Sequence, residues 1–487
     1  MDRPLPDHVG ALVIGSGFAG LAAAIRLQQA GHQVAVVERG SDVGGTWRVN
    51  SYPGCACDVP SHLYSFSFAP NPAWTRTFSP QPEIYAYLKG VAEQYGVTGR
   101  TWFDTEVLAA NWDGRRWLVS TTKGDVTADV VIAGTGGLSE PVAPKITGLE
   151  SFEGKVMHSA EWDHSYDLAG KRVAVIGTGA SAIQFAPEVA RVASHLTVFQ
   201  RTAPWILPRR DRAITRAERG LFRAVPALQK AVRGSIYAGR ESWILGFSGK
   251  TGIMRVAEKQ GRAWIGKHIL DPDLRAKVTP DYQLGCKRVL LSNTWYPMLA
   301  KDHVDLVTDG IAEITPTGIV TGTGQVVDVD VILLGTGFAV TDPPVAHRVR
   351  GTDGRTMAEH WNESGMQAYR GMAVPGFPNF FILTGPNTGL GHTSIVYVIE
   401  RQVEHVVDGL DAMRSAGVQA ISVKAEVSGA YNRRLQEDLQ GTVWNAGGCA
   451  SWYLDSRGVN TTLWPSYTFS FARELREFDL ADYDLTA

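Results

Sequence analysis

The sequence of 487 residues carries little net charge: 47 lysine and arginine residues nearly balance 49 aspartate and glutamate residues, which leaves −2 at pH 7. Binding to nucleic acid or to an anionic membrane needs a basic surplus, so we expect neither partner. The sequence also lacks an apolar run long enough to cross a bilayer. Its first residues, MDRPLPDHVG, contain acids and prolines where a signal peptide has basic and apolar residues, so we expect no secretion signal.

Cysteine is also scarce, with four residues in the chain. This number is too small for a disulfide framework, so we expect reduced thiols and a cytoplasmic protein. Cys55 and Cys57 are separated by one residue. A flavin disulfide reductase needs a reactive cysteine pair a few residues apart, and Trp47 occupies the stretch where that pair would begin. We interpret both cysteines as buried, small hydrophobic side chains.

Glycine is abundant, with 52 residues, and two glycine motifs organise the chain. The string ALVIGSGFAGLAAAIRLQQAG is typical of a strand, a tight turn at Gly15, Gly17 and Gly20, and a helix. Such a turn lets the backbone approach a pyrophosphate at the helix amino terminus. The next strand ends at Glu38, whose carboxylate can accept both ribose hydroxyls.

A second copy, KRVAVIGTGASAIQFAPEVARVA, places Gly177, Gly179 and Ala182 in the same positions. Its second strand ends at Arg201 and Thr202 instead of an acid. A 2′-phosphate needs a cation and repels a carboxylate, so this unit is predicted to bind NADP.

The similar strings DVVIAGTGG (129–137) and DVILLGTGF (330–338) indicate where the chain crosses between two units. The predicted fold is therefore α/β, with two dinucleotide-binding (Rossmann-like) domains and a helical insertion. The NADP domain is inserted into the other one, which a family resemblance implies to be the FAD domain. The predicted boundaries are 1–145 and 336–487 for the FAD-binding domain, 146–208 and 286–335 for the NADP-binding domain, and 209–285 for the helical insertion.

Three further strings carry a resemblance to a known family. FEGKVMHSAEWD (152–163) fits F-x-G-x-x-x-H-x-x-x-W-[P/D], and GGTWRVNSYPGCACD (44–58) fits G-G-x-W-x-x-x-x-Y-P-G-x-x-x-D. With these patterns the sequence resembles the type I Baeyer–Villiger monooxygenases nearly end to end. The third string, GPNTGLGHTSIVYVIE, is most similar to their 4-hydroxyacetophenone monooxygenase-like branch.

The resemblance implies an enzyme with FAD in the first unit and NADPH in the second; we expect no metal. It implies that a C4a-peroxyflavin inserts one oxygen atom of O2 next to a ketone carbonyl and gives an ester or lactone. The partners would be a small-molecule ketone and O2, and sulfoxidation would be a side activity. One alternative is a flavin-containing N/S-monooxygenase, whose fingerprint ends in Tyr instead of Trp162-Asp163. The other is a non-catalytic FAD/NADP redox sensor, which has no need for a catalytic pair.

The resemblance also implies roles for residues. Arg288 would stabilise anionic oxygen, and Asp58 would orient Arg288. Lys287 would help Arg201 hold the 2′-phosphate, although a Lys-Arg pair alone is more often a solvated one. The predicted FAD contacts are Gly15, Gly17, Phe18, Gly20, Glu38, Arg39, Gly45, Thr46, Trp47, Asp58, Tyr64 and Val107. The predicted NADP contacts are Gly177, Thr178, Gly179, Ala180, Ser181, Gln184, Arg201, Thr202, Lys287 and Trp452.

The fingerprint residues are Phe152, Gly154, His158, Trp162 and Asp163, in a connector between the nucleotide-binding units. A lone histidine is more often structural than an acid or base. We therefore expect the connector to couple domain movements, with His158 as a hinge residue instead of a catalyst. His62 and His392 are expected to be polar pocket or loop residues.

Overall fold

The computed structural model describes residues 4–138, 140–249 and 251–486. The strands are β1 (His8–Ile14), β2 (Val34–Val37), β3 (Thr101–Trp102), β4 (Val107–Trp112), β5 (Trp117–Thr121), β6 (Gly124–Ala133), β7 (Lys155–His158), β8 (Arg172–Ile176), β9 (His195–Phe199), β10 (Ile206–Leu207), β11 (Leu290–Leu291), β12 (Val304–Val307), β13 (Ile311–Thr315), β14 (Gly318–Thr321), β15 (Val326–Asp328), β16 (Val331–Leu334), β17 (Val349–Arg350), β18 (Phe380–Ile382), β19 (Ala420–Val423) and β20 (Tyr483–Thr486).

The helices are α1 (Phe18–Gln29), α2 (Thr46–Val49), α3 (Gln81–Gln94), α4 (Ala182–Val189), α5 (Arg216–Ala224), α6 (Pro226–Glu241), α7 (Ile244–Phe247), α8 (Thr251–His268), α9 (Pro272–Val278), α10 (Trp295–Leu299), α11 (Pro344–Arg348), α12 (Met357–Ser364), α13 (Ile395–Ala416), α14 (Ala425–Gln440), α15 (Val443–Ala446) and α16 (Thr468–Glu474). Among the described residues, none of these helices is long and apolar enough to cross a membrane.

The larger sheet combines strands from both ends of the chain. Its order is β17-β4-β5-β6-β1-β2-β3, and β18 also pairs with β6. The strands β1, β2, β3, β6 and β18 pair in parallel, whereas β4 and β5 form an antiparallel extension. The core strands are continuous apolar runs because both faces of a parallel sheet are covered. Helix α1, for example, buries Leu21 and Ile25 almost completely.

The second sheet is entirely parallel and has the order β12-β9-β8-β16-β7. Its strands come from the middle of the chain, between Lys155 and Leu334. Helices α5 to α9 leave this unit after β10 and return before β11, and the two short strands pair in parallel. These helices lie in the segment 209–285, which the sequence analysis predicts to be a helical insertion.

The fingerprint string is not a simple connector. Lys155–His158 forms β7, the edge strand of the second sheet, and pairs with β16. Gly154 permits this approach, since a Cβ atom there would lie 2.4 Å from the carbonyl oxygen of Asp330. The apolar residues Val156 and Met157 favour a strand here. The sequence analysis did not predict this strand, because it considered only the fingerprint residues on either side.

Candidate functional site

The first glycine turn joins β1 to α1 and leaves the helix amino terminus available. Gly17 is the residue that precedes α1, and its position carries no capping side chain. Gly20 cannot be replaced without strain, because a Cβ atom there would lie 1.8 Å from the carbonyl oxygen of Gly15. The free N–H groups and the partial positive charge of α1 therefore face an unobstructed position, which fits the pyrophosphate of FAD.

Glu38 lies directly after β2, beside this turn. Its Oε2 accepts hydrogen bonds from the backbone N–H and the hydroxyl of Ser16, both at 2.8 Å, and its Oε1 accepts one from the N–H of Gly40 at 2.8 Å. The side chain is buried. The carboxylate is thus held next to the phosphate position, where it suits the ribose hydroxyls of a dinucleotide.

The second glycine turn joins β8 to α4 and repeats this arrangement. A Cβ atom on Gly177 would lie 2.6 Å from the carbonyl oxygen of Gly335, and Gly177 has a φ of +105°. Ser181, which precedes α4, makes no capping bond through its side chain. The hydroxyl of Thr178 donates to the carbonyl of Thr202, 3.3 Å away, and ties the turn to the end of the neighbouring strand.

Two cations converge beside this second turn. Arg201 follows β9, and Lys287 lies in the loop after α9. Burial lowers the pKa of Lys287, and the charge of Arg201 lowers it further. No ion pair is described for either side chain. Two neighbouring cations that form no described ion pair fit the 2′-phosphate of NADP, although the charge of Asp281 also acts on Lys287.

Arg288 and Asp58 form an ion pair between the two units. The Nε and Nη2 atoms of Arg288 both donate to Oδ2 of Asp58, at 3.0 and 2.7 Å. The side chains stay 35% and 27% exposed, so the pair lines an open cleft. Burial works to raise the pKa of Asp58, but the charge and hydrogen bonds of Arg288 and then the charge of Arg240 lower it. The charge of Asp58 in turn raises the pKa of Arg288. The pair is therefore fully charged near neutral pH.

Two further residues surround this pair, and neither was singled out from the sequence. Tyr453 is buried, which raises its pKa to about 12 and keeps the phenol neutral. Arg240, near the end of α6, is the second arginine whose charge reaches Asp58. Only the general helical character of its segment was visible in the sequence.

The loop 44–58 is fixed against the first unit by aromatic contacts. The indole N–H of Trp47 donates to the hydroxyl of Tyr64, 3.1 Å away, and the two rings meet edge to face. Phe18, the first residue of α1, packs on the same tyrosine. Cys55 and Cys57 are buried, and burial raises the pKa of Cys55 to about 12 and also raises that of Cys57. Both are thiols at neutral pH, which agrees with the interpretation as small apolar side chains.

Gln184 of α4 reaches across to this loop. Its Oε1 accepts from the hydroxyl of Tyr52 at 3.1 Å and from the N–H of Ala56 at 3.3 Å, while its Nε2 donates to the carbonyl of Ala56 at 2.9 Å. Gly54 has a φ of +80°, and a Cβ atom there would lie 2.6 Å from the carbonyl oxygen of Gln184. The predicted NADP contact of Gln184 stays a prediction, and its side chain here fastens one unit to the other.

The remaining predicted residues occupy both units. Arg39 pairs with Glu140. Trp452 is 48% exposed and packs on Tyr453. The others lie along the two turns and their adjoining elements: Gly45 and Thr46 at the start of α2, Val107 at the start of β4, and Ala180 in the second glycine turn.

The fingerprint side chains make no described contact with the Arg288–Asp58 pair. They pack on the second unit and, through the ring of His158 on that of Phe338 at 5.6 Å, on the segment that leads back to the first unit. Phe152 is buried, and Trp162 packs on Phe185 of α4 at 5.4 Å. Asp163 accepts from Lys155 at 2.7 Å. The Nδ1 of His158 accepts from the N–H of Ala160, and burial lowers the pKa of this imidazole. A neutral histidine used as a helix cap agrees with a structural role.

The other two histidines contact the helical insertion. His62 lies 3.2 Å from Nε2 of Gln229 on α6, and His392 lies 3.3 Å from the carboxylate of Glu241. His392 is completely buried. Both contacts hold α6 against the first unit, a function that the isolated sequence positions did not indicate.

The prediction of reduced thiols is wrong for two of the four cysteines. Cys286 and Cys449 form a disulfide across 163 residues. Sequence spacing could not reveal this bridge, because only the fold brings the two residues within reach. The bridge joins the loop of Lys287 and Arg288 to the loop that carries Trp452 and Tyr453.

Two dinucleotide sites and a charged pair in the cleft between them define a flavin- and nicotinamide-dependent oxidoreductase. The family described as "Pyridine nucleotide-disulphide oxidoreductase" matches residues 12–215. A "Baeyer-Villiger monooxygenase" of Streptomyces coelicolor is 52% identical over 98% of this chain and 93% of the relative. A protein of the same name from Pseudomonas aeruginosa is 49% identical over 98% and 92%.

The chain belongs to the Baeyer–Villiger monooxygenase family. Among solved structures, the OTEMO complex with FAD and NADP has a TM-score of 0.89 and 27% identity, over 98% of this chain and 99% of that one. These comparisons confirm the predicted family, enzyme class and two-domain α/β fold, and the ligands of that complex agree with the predicted FAD and NADPH.

Proposed function

We propose that Arg288 and Asp58 form the centre at which this NADPH-dependent flavoenzyme inserts one oxygen atom of O2 next to a ketone carbonyl and gives an ester or lactone. One observation carries the proposal: both Nε and Nη2 of Arg288 donate to a single oxygen of Asp58 in the open cleft. This bonding orients the guanidinium plane and leaves Nη1 without a described partner. The free edge can therefore donate to a reacting oxygen.

Each cofactor has residues that fit it. FAD would be held at Gly15, Gly17 and Gly20 with Glu38 on its ribose, and NADPH at Gly177 and Gly179 with Arg201 and Lys287 on its 2′-phosphate. When bound, FAD that NADPH has reduced supplies the activated oxygen. The chain contributes binding, orientation and electrostatic stabilisation around it.

Arg288 would stabilise the negative charge that develops on the carbonyl oxygen of the ketone. A fixed cation in a cleft achieves this without reorganisation during the reaction. Asp58 would keep the guanidinium in place and offset part of its charge before substrate binds.

The experiment measures ester formation from NADPH, O2 and a neutral methyl ketone. Arg288→Ala and Arg288→Lys are compared with Arg355→Ala, which removes a surface arginine paired with Glu363. We expect both Arg288 variants to retain FAD and to lose ester formation by about 100-fold or more, whereas the control keeps its rate. Ester formation by Arg288→Ala at the wild-type rate would exclude this role.

We also propose the domain division given by the sequence, with boundaries near 145, 208, 285 and 335. The strands of the two sheets separate near 145 and 335, and helices α5 to α9 lie between 208 and 285. A cytoplasmic location is proposed because the reaction consumes NADPH. Disulfides are rare in that compartment, so the redox state of the Cys286–Cys449 bridge in cells tests the location. Alkylation of fresh lysate followed by mass spectrometry measures this, and a fully oxidised pair would argue against the cytoplasm.

A further inference from the structure

The buried face of α6 carries a row of polar side chains, each matched to a partner on the first unit. Gln229 donates to the carbonyl of Asn71 at 2.8 Å. Arg233, one turn further, donates to the carbonyls of His62, Leu63 and Ser65. Side chains four residues apart share a helix face, so this row docks α6 on the loop that follows Asp58.

The row continues to the end of the helix. The hydroxyl of Tyr237 lies 3.0 Å from that of Thr468. Glu241 accepts from the N–H and the hydroxyl of Thr468, at 2.9 and 2.6 Å, and lies 3.3 Å from His392. These contacts fix the last turn of α6 and thereby the direction in which its neighbour, Arg240, points.

Arg240 is the exception in this row. It lies seven residues after Arg233 and therefore on the same face. Its Nε is buried, and within the described part of the chain it donates to nothing. No ion pair is described for its guanidinium, and Trp243 offers only a ring, 5.5 Å from Cζ. A partly desolvated cation with no partner in its own chain is costly, which is the pattern of a binding group.

Contacts on both sides of Arg240 show which ligand it faces. Arg233 of the same helix donates to the carbonyls of His62 and Ser65, a few residues after Asp58. Phe247 of the next helix, α7, lies against Gly285, three residues before Arg288, where a Cβ atom would be 2.8 Å from its ring. In agreement with this placement, the charge of Arg240 acts on Asp58 and Arg288, whereas Lys287 is influenced by Arg201 and Asp281. Arg240 therefore belongs to the cleft of the ion pair and not to the 2′-phosphate site. Asp58 neutralises Arg288, so the three groups together keep one positive charge.

We propose that Arg240 binds an anionic group, such as a carboxylate, of the ketone substrate. The assignment rests on the proposed function, because Arg288 must hold the carbonyl end of the same molecule. The enzyme would accordingly favour ketones that carry an acid at a distance from the carbonyl. Arg240 then determines substrate specificity, while Arg288 serves the reacting carbonyl.

The test uses methyl-ketone acids CH3CO(CH2)nCOO⁻ of increasing chain length, each paired with its neutral methyl ester. For every pair, the ratio of kcat/KM for the acid to that for the ester is measured in the holoenzyme. Calorimetric titration of each acid into the oxidised holoenzyme gives its Kd without turnover. The variants are Arg240→Met, Arg240→Gln and Arg240→Lys, with Lys230→Met as a control that removes an exposed cation from the same helix.

We expect the wild type to favour the acid at one chain length. Arg240→Met and Arg240→Gln should lower the acid-to-ester ratio, and weaken binding of the acid, by about 10- to 100-fold, as for a lost hydrogen bond to a charged group. Arg240→Lys should restore part of the acid-to-ester ratio and part of the affinity for the acid, and Lys230→Met should change neither quantity. Two results would overturn the assignment. The first is a wild-type enzyme that prefers the ester over the acid at every chain length. The second is an acid-to-ester ratio and a Kd for the acid that stay unchanged in both Arg240→Met and Arg240→Gln. A third result separates the two proposals: if no ketone gives a product but the acid still binds in a way that depends on Arg240, the binding site is supported and the proposed oxygenation is refuted.

Discussion

Replacing Arg201 by Ala tests the coenzyme site directly, since it removes one of two cations that converge on a single position. A hydrogen bond to a charged group contributes about 1.5–3 kcal/mol. Arg201 is exposed, so the lower value applies, and about 1.4 kcal/mol corresponds to a factor of ten. Lys287 is half-buried, so its loss should cost more. We therefore expect KM for NADPH to rise about tenfold in Arg201→Ala and about 10- to 100-fold in Lys287→Ala.

The assay compares kcat/KM for NADPH and NADH, with Arg191→Ala as a control, because Arg191 is an exposed arginine of the same unit that pairs with Glu188. NADH has no 2′-phosphate, so its kcat/KM should stay close to that of the wild type. The pKa of Lys287 is lowered by burial and by Arg201, and only its protonated form binds phosphate. Affinity for NADPH should therefore fall as the pH rises through that lowered pKa, at a pH below the usual 10.5 of lysine. An equal loss for both coenzymes would refute the phosphate site.

Two further perturbations test the glycine turn and the disulfide. Gly20→Ala should yield protein with little bound FAD, because its Cβ would lie 1.8 Å from the carbonyl oxygen of Gly15. The ratio of flavin to protein absorbance measures the bound FAD. The control variant Gly90→Ala, whose Cβ would meet nothing within 4 Å, should keep its flavin. A full FAD complement in Gly20→Ala would contradict the reasoning. Reduction of the Cys286–Cys449 bridge opens a loop of 163 residues and should lower the free energy of unfolding by up to about 5 kcal/mol in urea denaturation. The double variant Cys286→Ala/Cys449→Ala should not respond to the reductant, and an unchanged midpoint for the reduced wild type would disprove the stabilisation.

The features that the sequence predicted are those with a local cause. Contiguous residues determine the strand, the glycine turn and the helix, so the positions of Gly15 to Gly20 and of Glu38 could be predicted from the sequence alone. The pairing of Asp58 with Arg288 was expected only through the resemblance to a family, because 230 residues separate them. The structure brings them together as that resemblance implied.

The features that the sequence missed depend on distant segments. Cys286 and Cys449 approach each other only when the carboxyl-terminal loop folds against the site. Arg240 is one of many basic residues in its segment, and what distinguishes it is the absence of a described partner on a helix face where its neighbours have one. Gln184 looks like an ordinary helix residue until the loop of Tyr52 and Ala56 lies against it.

The topology of the larger sheet also determines the order in which its strands can pair while the chain is being synthesised. Strand β6 ends at Ala133, but its partner β18 ends at Ile382. About 250 residues separate the two, which a ribosome adds in roughly 12 to 50 s at 5–20 residues per second. The strands of the second sheet emerge completely within that interval, since β16 ends at Leu334. The second unit can thus form on the ribosome while β6 still presents an unpaired edge, and that open edge is the point at which the nascent chain is most exposed to wrong pairing.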